Sequence, residues 1–166
     1  MKPYTKDELL FYWGAVHSVT QSLKHPNDNA WAEANADSFK AYHIGFDEVC
    51  VFYLKDQVII AINGSDKDSD EWKSNLSAYP IVDKMHDSFR AHGTMIMNHV
   101  LHNARIGNKR VVVVGHSRGG PLAMTFCHYS KIKNIECITY GSPRLFTLSA
   151  KPKFKHHRVH TNGDVV

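Results

Sequence analysis

The segment 111–121, with the sequence V-V-V-V-G-H-S-R-G-G-P, constrains the fold of this chain more than any other part of it. Four consecutive valines are typical of a strand that is buried on both faces. The apolar residues after Pro121 favour a helix, and proline is tolerated in the first turn of a helix. The segment therefore predicts a strand, a tight turn that carries Ser117, and a helix.

The turn matches the pattern G-x-S-x-G, with glycine at positions 115 and 119 around Ser117. A serine nucleophile needs this geometry, because a sharp strand-to-helix turn holds its side-chain oxygen exposed above the sheet edge. The backbone of such a turn is crowded, so the flanking residues must be small, and glycine fits. The amide of Arg118 then points at the same place and can stabilise an oxyanion. The alternative is an ordinary glycine-rich turn with a solvated serine.

Length and composition indicate a globular protein of ordinary type. The 166 residues predict one domain that spans 1–166. Hydrophobic residues make up 43% of the chain and charged residues 22%, which suffices for an apolar core. The net charge of +4 is too small and too scattered to indicate a nucleic-acid partner. The basic stretch 151–158 is interpreted as a solvated loop rather than a phosphate site.

The cysteines and the amino terminus bear on cellular location. Cys50, Cys127 and Cys137 are odd in number and lie in apolar segments, so we expect buried free thiols and no disulfide framework. The amino terminus has acidic residues and no long apolar core, so we expect no signal peptide. No window approaches the roughly 18 apolar residues that a membrane span needs. These features predict a cytoplasmic protein made in a reducing compartment.

Helices and strands are predicted to alternate along the chain. The capping box of residues 5–8 (T-K-D-E) indicates the start of a helix. Apolar spacings of three and four predict its buried face, namely Leu9, Trp13, Val16, Thr20 and Leu23. Further strands are expected at 49–54, 57–62, 135–140 and 158–161 and a long helix at 82–105, while residues 27–47 stay unassigned. The alternation predicts an α/β class with a mostly parallel sheet flanked by helices.

Six short motifs follow one another in the last two thirds of the chain. They are V-I-I-A-I-N-G-S (58–65), D-E-W-K-S-N-L (70–76), H-D-S-F (86–89), G-H-S-R-G-G (115–120), Y-G-S-P-R (140–144) and R-V-H-T-N-G-D-V-V (158–166). In this order they resemble the motifs of the class 3 lipases, an α/β-hydrolase family typified by fungal triacylglycerol lipases. Two details depart from the family pattern, an extra residue before Trp72 and Ser88 in place of a glycine. The resemblance implies an α/β-hydrolase-type fold and hydrolysis of carboxylic esters, above all in lipids.

The resemblance also implies roles for individual residues. Ser117 corresponds to the nucleophile, Asp164 to the acidic triad member, and Ser65 to a second oxyanion-hole element beside the Arg118 amide. An aspartate in the Asn-Gly-Asp turn at 162–164 can accept a hydrogen bond from an imidazole and fix its tautomer. The alternative for Asp164 and for Ser65 is a turn residue without a catalytic role. Three further motif residues are interpreted as structural supports: Trp72, His86 and Arg144.

A catalytic histidine is the member of the triad that the motifs do not supply. In the family it follows the aspartate, whereas only Val165 and Val166 follow Asp164 here. We therefore expect these 166 residues to lack a competent triad, with His86 and His160 as the substitutes to test. His116 precedes the nucleophile, so its side chain should point away from the site.

Neither a metal nor an organic cofactor is expected. The pattern H-H-x-x-H at 156–160 suggests a metal site only weakly, because it lies partly on a predicted strand and no acidic or cysteine partner is adjacent. The chemistry of a serine hydrolase needs no cofactor in addition to its triad and oxyanion hole.

The sequence predicts a serine esterase or lipase that acts through an acyl-enzyme on Ser117. Its partners would be an ester or lipid substrate and, transiently, a membrane or lipid surface. One alternative is a catalytically silent α/β-hydrolase domain that binds or scaffolds. Another is an acyltransferase or thioesterase, which shares the same turn. Esters, thioesters and phospholipids all suit this chemistry, because acyl specificity depends on pocket shape, and no pattern indicates an oligomeric state.

Overall fold

The computed structural model describes residues 3–24, 29–45, 47–64, 81–82, 85–143, 145 and 152–160. Within these residues the chain forms four helices: Lys6–Lys24 (α1), Ala30–Asn35 (α2), Asp87–Asn103 (α3) and Gly119–Tyr129 (α4). It also forms eight strands: Ser38–Ile44 (β1), Asp47–Tyr53 (β2), Gln57–Ile62 (β3), Ile81–Val82 (β4), Met85–His86 (β5), Arg110–His116 (β6), Ile135–Tyr140 (β7) and Lys155–Val159 (β8).

Six of the strands form one sheet in the order β1-β2-β3-β6-β7-β8. The pairs β1–β2 and β2–β3 are antiparallel, whereas β3, β6, β7 and β8 run parallel to one another. The valine strand lies in the middle, where Val113 is opposite Ile60 on β3 and Cys137 on β7. The predicted α/β fold with a mostly parallel sheet flanked by helices is confirmed.

Alternate residues of the strands build two separate cores, one on each face of the sheet. Val111 and Val113 belong to a core that includes Phe89 of α3 and Leu122 of α4. Val112 and Val114 belong to the other core, which α1 and α2 cover. All four valines are fully buried. Because consecutive strand residues face opposite sides of a sheet, an unbroken apolar run is what a strand between two layers of helices requires.

Helix α1 starts where the capping box predicts, and its most buried positions overlap with the predicted face. The Glu8 amide donates to the Thr5 hydroxyl at 3.2 Å, and the Thr5 amide donates to the Glu8 carboxylate at 2.6 Å. The most buried positions are Tyr12, Ala15, Val16 and Val19. Of the predicted face, Val16 is fully buried, and Leu9, Trp13 and Leu23 are partly buried against the same core, while the side chain of Thr20 lies outside the description. The side of α1 that carries positions 9 and 13 also borders a cavity.

Other differences concern short or weakly patterned elements. The unassigned stretch 27–47 contains α2 and β1, and the long helix begins at Asp87, after the short antiparallel pair β4–β5. The last strand lies at 155–159 rather than 158–161, so half of the predicted basic loop is an edge strand. None of the β8 residues is fully buried. An edge strand of this kind leaves little hydrophobic pattern in the sequence.

The three cysteines are buried free thiols, as predicted. No helix within the described residues is long and apolar enough to cross a membrane.

A polar cluster stabilises the amino ends of the parallel strands. The Glu136 carboxylate on β7 accepts hydrogen bonds from Arg110 Nε at 3.0 Å and from the Tyr4 hydroxyl at 2.9 Å, and it pairs with Lys155 Nζ at 2.6 Å. Burial by itself raises the pKa of Glu136, but the hydrogen bonds from Arg110, Lys155 and Tyr4 outweigh it and lower the pKa from 4.5 to about 2. The ionised form of Glu136 is therefore a source of folding free energy.

We expect Glu136→Gln to lower the free energy of unfolding at pH 7 by on the order of 2 kcal/mol, because the cluster loses its only carboxylate. A carboxylate whose folded pKa is depressed stabilises the fold above its unfolded pKa. That contribution is lost as the pH falls from about 4.5 to about 2. Urea unfolding across this range should thus show a shallower pH dependence for the variant than for the parent chain. Glu33→Gln, at an exposed position of α2, is the control, and equal slopes for both variants would contradict the assignment.

Candidate active site

The turn between β6 and α4 holds Ser117 in a strained backbone conformation. Its φ angle is +50°. Among the described residues other than glycine, no other has a positive φ angle. Two backbone hydrogen bonds fix it: the Ser117 amide donates to the Tyr140 carbonyl at 2.9 Å, and the Gly120 amide donates to the Ser117 carbonyl at 3.0 Å. Strain of this kind costs about 1–3 kcal/mol and persists where the surroundings over-determine it. Such residues cluster at functional sites.

The glycines on either side of Ser117 are required by close backbone contacts. A Cβ atom on Gly115 would lie 2.2 Å from the Gly119 carbonyl oxygen. A Cβ atom on Gly119 would lie 2.3 Å from the carbonyl oxygen of Ile62, at the end of β3. Both distances are far below van der Waals contact, so the predicted crowding of the turn is confirmed. The helix start is thereby packed directly against the neighbouring strand.

The chain leaving β3 passes beside the nucleophile candidate. A Cβ atom on Gly64 would lie 3.2 Å from the Cβ atom of Ser117 and 3.1 Å from the His116 carbonyl oxygen. This segment is held by the Asn63 amide, which donates to the Glu48 carbonyl at 3.0 Å, and by the Asn63 side chain, which accepts from the Gly64 amide at 2.9 Å. Ser65 follows directly but lies outside the described residues, so its oxyanion role stays a prediction.

Arg118 is the cap residue directly before α4 and has helical backbone angles, φ −55° and ψ −32°. The first amides of a helix have no partner within the helix, so the amide of Arg118 is available as a donor. Its side chain turns away from the turn and pairs with Asp47 at the start of β2. A second guanidinium nitrogen lies 2.9 Å from His92 Nδ1 on α3. Nothing in the local sequence pattern of Asp47 or His92 indicates a contact with Arg118.

No histidine among the described residues makes a hydrogen bond with the Ser117 hydroxyl. The His116 ring packs edge-on against Trp13 of α1, with centroids 5.0 Å apart, so it points away from the site as predicted. His86 precedes α3 and packs against Phe89, and its buried Nδ1 has no hydrogen bond within the described chain. Asp164 lies outside the described residues, as do the predicted supports Trp72 and Arg144.

The histidines of β8 do not converge on a common point. His156 Nε2 lies 3.0 Å from the Thr139 hydroxyl. The ring of His157 packs edge-on against Tyr4, with centroids 4.6 Å apart. Consecutive strand residues face opposite sides of the sheet, so these two rings do not form one ligand set. Burial, with a contribution from the charge of Arg158, lowers the pKa of His156 to about 4, so the ring is neutral near pH 7.

An apolar cavity of about 450 Å³ opens at the carboxyl ends of β6, β7 and β8. Leu9, Leu10 and Trp13 of α1 form one wall, and Tyr140 and Val159 form the other. The polar groups at its edge include His116, Lys6 and His160. His116 directly precedes Ser117, so the cavity lies on the α1 side of the sheet near the turn, although Ser117 is not one of its lining residues. A concave apolar site of this size with few polar groups is typical of a small-molecule pocket.

Solved structures with the same fold are fungal lipases. A fungal lipase–inhibitor complex matches with a TM-score of 0.67 at 17% identity, covering 96% of this chain and 72% of the lipase. The Rhizomucor miehei lipase–propeptide complex gives 0.65 at 14% identity, covering 96% and 62%. Lipase II from Rhizopus niveus gives 0.55 at 16% identity, covering 84% and 63%. At these identities the similarity establishes the α/β-hydrolase fold alone, and the chain spans roughly two thirds of these lipases.

The family follows from a second comparison. The family profile described as Lipase (class 3) matches residues 76–166, more than half of the chain. The chain belongs to the class 3 lipase family. The matched region includes Ser117, Arg118 and Asp164, whereas Ser65 precedes it. A comparison with curated protein sequences finds no match.

We expect Gly119→Ala to destabilise the fold by about 1–3 kcal/mol or more, because the added methyl group overlaps the Ile62 carbonyl and forces α4 away from β3. Gly107→Ala is the matched control, since its added methyl group meets nothing within 4 Å and only its φ of +60° opposes the change. That control should cost about 1 kcal/mol. Chemical unfolding of both variants measures the difference, and equal losses would contradict the close packing of the turn.

Proposed function

We propose that this chain is a serine hydrolase that cleaves carboxylic esters of lipids through an acyl-enzyme on Ser117. Membership in the class 3 lipase family supports lipid ester hydrolysis as the general activity. The observation that carries the mechanism is the strained backbone of Ser117, with φ +50°, between a buried strand and a helix. This conformation presents a side-chain oxygen at the sheet edge next to the first amides of a helix.

In the proposed mechanism the Ser117 oxygen attacks the acyl carbon of the ester and gives up its proton to a histidine. The amides of Arg118 and Ser65 donate to the resulting oxyanion, and Asp164 orients the histidine. The role of Ser65 is supported by its neighbour Gly64, which passes beside the Ser117 Cβ atom. The tetrahedral intermediate then collapses, the histidine returns its proton to the leaving oxygen to release the alcohol, and the acyl group stays on Ser117. A water molecule, deprotonated by the same histidine, then releases the acid.

The cavity supports an acyl substrate with a substantial apolar part. Its walls are formed by leucine, valine and aromatic side chains, and it borders the turn at His116. A hydrocarbon chain fits such a lining, because burying it there gains the transfer free energy of each methylene group. A transient contact with a lipid surface fits the same chemistry, as Leu10 at the cavity is an exposed large apolar residue of α1.

A second candidate function is a silent hydrolase domain that binds lipid without cleaving it. One observation favours it: within the described residues no imidazole contacts the Ser117 hydroxyl. Without a base, a serine hydroxyl is a poor nucleophile near neutral pH. The two candidates differ in whether Ser117 reacts, so covalent labelling separates them.

Where a histidine is present to activate Ser117, we expect an activity-based fluorophosphonate probe to label Ser117 and no other serine, because this hydroxyl combines the tight turn with adjacent amide donors. Peptide mapping of the labelled chain identifies the site. Ser117→Ala should abolish labelling, and Ser38→Ala, at an exposed position of β1, should leave it unchanged. Labelling that survives Ser117→Ala would exclude Ser117 as the nucleophile. Lipid binding by a folded parent chain that is never labelled would establish the silent domain instead.

The oxyanion role of Ser65 is tested by its backbone rather than its side chain. Ser65→Pro removes the amide donor, and loss of one such donor typically costs ~10²–10³ in turnover. Ser65→Ala keeps the amide and should retain most of the turnover of a short-chain ester. Circular dichroism checks that both variants fold. Normal ester hydrolysis by a folded Ser65→Pro variant would mean that Ser65 is only a turn residue.

A further inference from the structure

Three charged or polar side chains meet beneath the turn that carries Ser117. Arg118 Nη1 donates to Asp47 Oδ1, and Arg118 Nη2 lies 2.9 Å from His92 Nδ1. The Asp47 side chain is completely buried, and that of Arg118 is only 13% exposed. The three residues come from the start of β2, from α3 and from the start of α4. The cluster therefore ties the turn to two elements far away in the sequence.

The chemistry of the three groups decides which of them donates to Asp47. A guanidinium group can only donate, so in its 2.9 Å contact with Arg118 the Nδ1 atom of His92 is the acceptor. The Asp47 Oδ2 atom lies 3.4 Å from His92 Nδ1 and has no hydrogen bond within the described residues. Arg118 is thus the charge that compensates the buried carboxylate of Asp47.

The position of this cation is unfavourable unless it has a partner. The amino terminus of a helix carries a partial positive charge, so an arginine side chain at the start of α4 is disfavoured by the helix dipole. A guanidinium group withdrawn from water also needs an ionic partner. Asp47 supplies that partner on β2, at a point that does not move with the turn. Loss of the Asp47 charge removes the reason for the Arg118 side chain to stay in the interior.

The cluster completes the restraints on the strained serine. On its amino side, Ser117 is held by the hydrogen bond from its amide to the Tyr140 carbonyl. On its carboxyl side, the next residue is anchored by its side chain to Asp47 and His92. A strained residue keeps its conformation only where both sides are restrained in this way. The backbone amide of Arg118 belongs to the same anchored residue.

We propose that Asp47 and His92 are positioning residues, which hold the Arg118 amide and the Ser117 backbone in the geometry that stabilises an oxyanion. The catalytic part of this inference rests on the proposed function. The restraint on the backbone of the turn is independent of whether the chain catalyses a reaction. Neither Asp47 nor His92 touches the substrate in this scheme. They act through the side chain of Arg118, whose backbone faces the site.

Amide hydrogen exchange tests the restraint without any need for activity. The Ser117 amide is hydrogen-bonded to the Tyr140 carbonyl, so its exchange reports opening of the turn. The Val113 amide, in the middle of β6, reports opening of the sheet. In Asp47→Asn we expect Ser117 to exchange about tenfold faster relative to Val113. His92→Ala should give a smaller increase, because the ion pair between Arg118 and Asp47 remains. Asp87→Asn is the control, since Asp87 pairs with Arg90 on the exposed side of α3.

A double variant separates positioning from plain stability. Asp47→Leu combined with Arg118→Met removes both charges, and replacing a buried pair by apolar residues often restores stability. We expect the free energy of unfolding to recover while the exchange of Ser117 stays fast. Three results would overturn the proposal, because each would mean that the cluster serves the fold as a whole. The first is that the double variant regains both its free energy of unfolding and slow exchange at Ser117. The others are equal acceleration of exchange at Ser117 and Val113 in Asp47→Asn, and failure of both Asp47→Asn and the double variant to fold.

The rate of fluorophosphonate labelling tests the catalytic consequence. We expect Asp47→Asn to react about 10²-fold more slowly than the parent chain, as a small misplacement of a catalytic group has an effect of this size. A parent chain that is not labelled contradicts the proposed function, and the exchange data then decide the positioning inference alone. A labelled parent chain with an equally reactive, folded Asp47→Asn variant overturns the positioning role while the proposed function stands.

Discussion

The close approach of α4 to the end of β3 is the constraint on which the rest of the site depends. Gly119 has no room for a side chain because the Ile62 carbonyl occupies the place of its Cβ atom. The chain must therefore turn from β6 into α4 within two residues, 117 and 118. This short connection forces Ser117 to a positive φ at the carboxyl end of β6 and brings the Gly64 segment beside it. One backbone contact thus sets the conformation and the neighbours of the serine.

Polar groups lie at both ends of the central strands, whereas the middle is apolar. At the amino ends, Glu136 is ionised among Arg110, Lys155 and Tyr4 and stabilises the fold. At the carboxyl ends, Asp47 and His92 bind the side chain of Arg118 beside the candidate nucleophile. The valines between them supply the apolar burial that holds the sheet together. The polar groups that stabilise the fold and those proposed to support catalysis therefore lie at opposite ends of the sheet.

Strong local signals were read correctly from the sequence, and weak ones were not. The four valines, the capping box and the G-x-S-x-G turn each specify their structure within a few residues, and all three are found in the fold. The face of α1 that packs on the sheet was predicted only in part, because apolar spacing did not show that Tyr12, Ala15 and Val19 are its most buried positions. The predicted bounds of β8, 158–161, differ from the observed bounds, 155–159, because none of its residues is fully buried and its hydrophobic pattern is therefore weak. The roles of Ser65 and Asp164 and the single-domain organisation stay predictions.

The sequence by itself determined the class of fold and the candidate nucleophile, because both depend on contacts between near neighbours in the chain. Alternating patterns define the elements, and the glycines around Ser117 permit only a tight turn. The partner of Arg118 was decided only by the tertiary structure. Asp47 lies 71 residues away along the chain, and only the pairing of strands across the sheet brings its carboxylate to the guanidinium group. A contact between distant segments has no signature in either segment alone, since its free energy arises when folding buries both side chains together.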